Sequence, residues 1–198
     1  MTWWLRQRGG LSLLPATLVG FWVVLAVTAG TVVGMPSLVA DVVPARLSDF
    51  ACLAVSTAAV ALLERRLPAV ECAALRRVDR LDVILAVGFV LGAAAGALVL
   101  LSAHDEVTAV TAARNVLFFG GLALAAHPLL GARAGLVPVG WMLLSLLNGR
   151  RASNDPYPWV IVAEDAYVPH AALGAGLAFL GGVVALVLLP RLTARNRP

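Results

Sequence analysis

The sequence predicts an all-α membrane protein: a bundle of six transmembrane helices with an N-terminal interfacial helix. Three observations point there. Of 198 residues, 61% are hydrophobic and 13% charged, whereas about a quarter of a typical soluble domain is charged. The apolar residues gather into runs of about 20, the length that crosses roughly 30 Å of hydrocarbon. The arginines concentrate in alternate connections, as orientation in a bilayer requires. Together these describe a single transmembrane domain, residues 1–198, with no room for a soluble catalytic domain. All 15 basic residues are Arg, which beside the abundant Ala, Leu, Val and Gly reads as a GC-rich coding bias. The net charge of +4 gives no reason to expect nucleic acid as a partner.

The start, MTWWLRQRGG, pairs Trp3 and Trp4 with Arg6 and Arg8 ahead of Gly9-Gly10. Trp favours the headgroup region and Arg the cytoplasmic face, so residues 1–10 are expected to lie as a short helix on the inner leaflet. A charged start that runs into a long apolar stretch, without a small-residue cleavage site, is not read as a cleavable signal. Six apolar segments follow, at about 11–34, 48–63, 83–102, 114–130, 134–147 and 170–189. The second, fourth and fifth are short for a full crossing. Only Gly131-Ala132-Arg133 separates the fourth from the fifth, either as a tight turn or as the middle of one broken helix. Gly-rich stretches, GAAAGA at 92–97 and GAGLAFLGG at 174–182, offer small faces for close helix packing. Cys52 and Cys72 fall at different depths in this layout and are not expected to pair.

The charges choose between five and six crossings. With six spans and the N-terminus inside, the cytoplasmic parts hold Arg6, Arg8, Arg65, Arg66, Arg76, Arg77, Arg80, Arg133, Arg191, Arg195 and Arg197. That leaves Arg46, Arg114, Arg150 and Arg151 outside, a split of 11 to 4. Basic residues near span ends favour the cytoplasm. Fusing the fourth and fifth segments into one helix would move the C-terminal arginines outside, so six spans with both ends in the cytoplasm fit better. The expected location is the bacterial inner membrane, multi-pass and in contact with lipid.

The connection at 64–82 is the most informative stretch: ERRLPAVECAALRRVDRLD. Pro68 suits a first helical turn, and Val70, Ala74, Val78 and Leu81 recur at helical spacing on an otherwise basic helix. Such a helix lies on the cytoplasmic surface or docks into a partner's groove. Arg65-Arg66, the Leu67-Pro68-Ala69 turn, Glu71 and Arg80, nine residues beyond it, resemble the cytoplasmic loop of ABC-2 type transporter permeases. Pro68-Ala69 stands where that family usually has Gly-Thr, and Val78 lies near the place of a later Pro. The resemblance implies a coupling-type helix seated in a cleft of a cytoplasmic ATP-binding subunit, with Glu71 and Arg80 in contact and Arg76 and Arg77 in support. It also extends to the Trp-Arg start and to the long external connection at 149–169, GRRASNDPYPWVIVAEDAYVP, before the last span. There Trp159, Val160, Ile161 and Val162, with Tyr157 and Tyr167, are expected to enter the outer interface.

No GxxxxGK[ST] loop occurs, so ATP and magnesium are expected on the partner and no cofactor in this chain. A six-span permease is half of the usual transmembrane set, which implies a second permease copy or a homologous one. Enzyme motifs are absent too: neither HExxH nor GxSxG is found. The external His104, Asp105, Glu106, Asp155, Glu164, Asp165 and His170 are read as solvated loop residues rather than a metal or acid-base site. His127, beside Pro128 near the inner end of segment four, is an ionisable residue inside an apolar segment and so a functional suspect. Arg114-Asn115 is read as an outer-leaflet anchor. The expected function is therefore the permease subunit of an ATP-driven exporter of hydrophobic or amphipathic substrates, not an enzyme. Two other classes share the layout: the substrate-binding membrane component of a six-span importer, and a small membrane enzyme or immunity-type accessory protein.

Overall fold

A computed structural model describes residues 13–39, 42–65, 78–102, 105–151, 153 and 155–195. The expected interfacial helix at 1–10, and most of the 64–82 connection, lie outside the described residues. Among the described residues there are six α-helices: α1 (Leu13–Thr28), α2 (Leu47–Glu64), α3 (Val78–Leu101), α4 (Glu106–Leu130), α5 (Leu136–Asn148) and α6 (Pro169–Arg195). Among the described residues four helical stretches are long and apolar enough to cross a membrane: Leu47–Glu64, Leu81–Leu100, Glu106–Asn148 and Pro169–Leu189. The protein is therefore a largely helical, multi-pass membrane protein. Its exterior is apolar, as a lipid solvent demands: Leu173, Leu177, Leu180, Val184 and Leu188 form an exposed stripe along α6.

The 43-residue stretch Glu106–Asn148 is not one straight rod. It bends back through a 3₁₀ turn at Gly131–Gly135, where Gly131 takes a φ of 55° that side-chain-bearing residues avoid. Antiparallel legs result, and Phe118 of α4 meets Trp141 of α5 edge to face with ring centroids 5.6 Å apart. Each leg is its own helix, and α5, at 13 residues, is only about 20 Å long.

The first segment ends earlier than expected. Instead of a helix to residue 34, α1 stops at Thr28, and Gly30 (φ 72°) turns the chain into a two-stranded antiparallel hairpin. Its strands are β1 (Val32–Pro36) and β2 (Val42–Arg46), in register Val32↔Arg46 and Gly34↔Pro44. Val32, Val33, Val42 and Val43 are β-branched and favour extended backbone, and Pro36 bars helix continuation. The hairpin ties to α5 through the Leu38 N–H and the Ser37 hydroxyl, which both donate to the Leu147 carbonyl at 3.0 Å.

Helix α4 is the centre, packed against α2, α3, α5 and α6. It begins at Glu106, eight residues before the expected 114, because Asp105 caps it by accepting from the Thr108 backbone N–H at 3.0 Å. Its contact with α6 is backbone-close: a Cβ on Gly121 would strike the Ala178 backbone, and one on Gly182 would strike the Gly121 carbonyl. The 174–182 stretch thus works as a small-residue packing face.

Candidate functional site

The contacts of α4 define two ends of the bundle. At one, Asn115 of α4 reaches Asp49 at the start of α2; at the other, His127 Nε2 lies 2.9 Å from Glu64 Oε1 at the end of α2. Helices α2 and α4 therefore run parallel. With α3 and α5 each returning from one of these ends to the other, successive helices alternate in direction.

The hairpin end carries a buried polar cluster. Arg114 lies two turns into α4 and is 5% exposed, and Asn115 is fully buried. An arginine buried so deeply must be satisfied by acceptors. Arg114 donates to the carbonyls of Asp165 (2.7 Å), Glu164 (2.8 Å) and Val162 (3.5 Å). Asn115 Nδ2 donates to Asp49 Oδ1 at 2.9 Å and, more weakly, to the Val162 carbonyl at 3.4 Å. Rather than anchoring to the outer leaflet, the Arg114-Asn115 pair clamps the 149–169 connection onto α4. The connection descends into the protein there: Val160 and Val162 are buried, at 0% and 4% exposure. Its aromatic residues stay open: Trp159 packs edge-on against Trp141 and stacks with Tyr157, each of this stacked pair about a third exposed, and Tyr167 is 64% exposed.

Beside the cluster lies a cavity of about 430 Å³, between the hairpin, the start of α2, the end of α5 and the clamped connection. Its walls include Arg46, Asp49, Ser145 and Arg150, with Val43, Met142 and Val160 supplying apolar surface. Arg46 donates from Nη1 to the Thr111 hydroxyl at 3.0 Å. Burial, and then the neighbouring charge of Arg46, lowers the affinity of Arg150 for its proton. Ser145 is 6% exposed, and its hydroxyl has no hydrogen-bond partner among the described residues.

Of the residues singled out from sequence for ATPase contact, Glu71, Arg76 and Arg77 lie outside the described residues. Arg80 falls in the first turn of α3. His127 pairs with Glu64 at the end of the bundle opposite the cavity. The acids expected outside separate into local contacts: Glu106 accepts from the Tyr167 hydroxyl at 2.7 Å, and Glu164 pairs with His170 at 3.3 Å. Among the described residues no group of three or more His, Cys, Asp or Glu could hold a metal. Cys52 is a buried free thiol, and Cys72 lies outside the described residues.

Arg46, Asp49 and Ser145 were not singled out from sequence. Asp49 carried the available signal: it is an acid at the mouth of an apolar segment, the kind of residue whose burial demands a partner. Ser145 carried none, because only the reversal at Gly131–Gly135 returns it to the level of Asp49. Comparison of the chain with family models, with curated proteins and with solved structures finds no match.

Proposed function

We propose that this chain is the membrane-spanning permease subunit of an ATP-driven exporter of the ABC-2 type, with six crossings and both ends in the cytoplasm of a bacterium. The observation that carries the reading is the alternation of helix direction. It gathers the connection between α2 and α3, the Gly131–Gly135 turn and the C-terminal end of α6 at one end of the bundle. Among the described residues that end also collects Arg65, Arg80, Arg133, Arg191 and Arg195. The opposite end carries Asp49, Asp105, Glu106, Asp155, Glu164 and Asp165. Basic residues retained in the cytoplasm assign the first end inward, within reach of a motor protein.

In this mechanism the chain performs no covalent chemistry. An ATP-binding subunit, carrying ATP and magnesium, closes and pushes on residues 68–80 through Glu71, Arg76, Arg77 and Arg80. Rigid helices transmit the push to the interface with a second permease copy and open a path for a hydrophobic or amphipathic substrate. Tagged chain purified in mild detergent should bring an ATP-binding subunit with it. Glu71→Lys and Arg80→Glu should uncouple ATP hydrolysis from transport without loss of membrane insertion. Full coupled activity with both charges reversed would refute the coupling role.

The outward-end cavity supports a second reading, the substrate-binding membrane component of an importer. In that case the 64–81 connection would cross-link to another transmembrane protein rather than to the ATPase.

A further inference from the structure

Opposite charges share the hairpin-end cavity without joining. Arg46 and Asp49 stand three residues apart around the start of α2, and both line it. Each has one neutral hydrogen-bond partner among the described residues, Thr111 for Arg46 and Asn115 for Asp49, and no ion pair connects the two. A guanidinium offers five N–H donors and a carboxylate about four lone-pair sites, so most of their capacity is unused by the protein. Ser145 is an independent sign on the facing helix. Ser145 is more than nine-tenths buried and lines the same cavity, and its hydroxyl lacks a partner among the described residues. Protein interiors seldom leave such a group unsatisfied unless something else supplies the bond.

The charge pattern narrows the occupant. Arg46 and Arg150 line the cavity together with Asp49, Asp155, Glu164 and Asp165, so a simple anion would meet the arginines but face Asp49, and a simple cation would meet Asp49 but face Arg46. These repulsions are strong where water is sparse. A divalent metal lacks its ligand set among the described residues. We propose that the cavity between Arg46, Asp49 and Ser145 binds a zwitterion that carries a primary ammonium and an acidic group. Its ammonium pairs with the Asp49 carboxylate and donates to the Ser145 hydroxyl, and its anionic group takes the free face of the Arg46 guanidinium. The apolar wall of Val43, Met142 and Val160 accepts the adjoining carbon skeleton. A volume of about 430 Å³ accommodates a ligand of this size. Two sources share this chemistry: the phosphoethanolamine headgroup of a lipid, and a free amino acid or short peptide. The site stands on the cavity alone, whichever partner drives the chain.

The test uses the purified full chain in nanodiscs made only of phosphatidylglycerol, so that no zwitterionic lipid is present and no ATPase is needed. Glycerophosphoethanolamine, dialanine, ethanolamine and glycerol phosphate are titrated by calorimetry. At least one of the two zwitterions should bind, more than tenfold tighter than either singly charged probe. Binding of the first alone identifies a lipid headgroup, and of dialanine alone a peptide-like ligand. Arg46→Gln and Asp49→Asn should each weaken binding by about tenfold or more, the scale of one charge-assisted hydrogen bond. Ser145→Ala removes a hydroxyl with no partner in the described protein, so it should leave the unliganded melting temperature unchanged or raised while weakening binding several-fold. The proposal is overturned if neither zwitterion binds at millimolar concentration, or if a singly charged probe binds as tightly. Unchanged affinity in Ser145→Ala together with Arg46→Gln would overturn it equally.

Discussion

Replacing Arg114 with Met should release the 149–169 connection from the bundle while leaving the helices in place. The residue is buried, and its guanidinium holds two short bonds, to the carbonyls of Asp165 at 2.7 Å and Glu164 at 2.8 Å. The bond to the Val162 carbonyl, at 3.5 Å, lies at the limit of hydrogen-bond geometry and adds little. Each charged bond is worth about 1.5–3 kcal/mol net. Removing the charge also removes its desolvation cost, so a net loss of about 3 kcal/mol for the docked connection is expected. That corresponds to a population of the undocked form about a hundredfold higher. Val162, 4% exposed, reports on docking when changed to Cys in a chain with Cys52→Ala and Cys72→Ala. The rate of its modification by a water-soluble maleimide should rise on the order of a hundredfold in Arg114→Met. Arg114→Lys should fall between, since an ammonium lacks the planar fork that reaches two carbonyls. A labelling rate within threefold of the parent would show that Arg114 is not the clamp.

The close contact of α4 with α6 predicts that Gly121→Ala costs about 1–3 kcal/mol in detergent unfolding, because the new methyl must displace the Ala178 backbone. Gly176→Ala, facing open space on α6, should instead gain up to about 1 kcal/mol. Asp105 should behave as a cap whose effect vanishes in acid. The Thr108 hydroxyl and N–H bonds hold its carboxyl below the ordinary value. Its stabilisation is therefore complete above the unfolded value of about 3.9 and fades as pH falls through the lower folded one. Asp105→Ala should cost about 1 kcal/mol at neutral pH, with the difference from the parent shrinking when unfolding is repeated below that range.

Much of the architecture was legible in the sequence, because lipid exposure forces long apolar runs. The expected 48–63 lies within one residue of α2 at either end. Errors arose where apolarity and burial part company. The expected fourth segment starts at 114, which leaves Thr108 and Thr111 outside it and sets Arg114 at its mouth. In the folded protein all three are buried within the protein, and α4 runs through them. At 29–34 the reverse happened: apolar residues looked like helix, but β-branching and a left-handed Gly30 turned them into a hairpin. Arg114-Asn115 was visible as an unusual pair, yet its role depends on carbonyls some fifty residues later. The cavity was the least legible feature, since the hairpin, the α5 return and the clamped connection must all form before Arg46, Asp49 and Ser145 share one space.

The central claim is that the chain crosses the membrane six times, with the Arg-rich end of the bundle inside. It stands or falls on the side to which the Gly131–Gly135 turn and the 149–169 connection each open. Single cysteines at Arg133 and Ser153, both exposed, can be introduced into the Cys52→Ala, Cys72→Ala chain and treated in whole cells with a membrane-impermeant maleimide. The account predicts that Ser153→Cys is labelled in intact cells and Arg133→Cys only after the membrane is opened. Labelling of Arg133→Cys in intact cells, or protection of Ser153→Cys there, would contradict it.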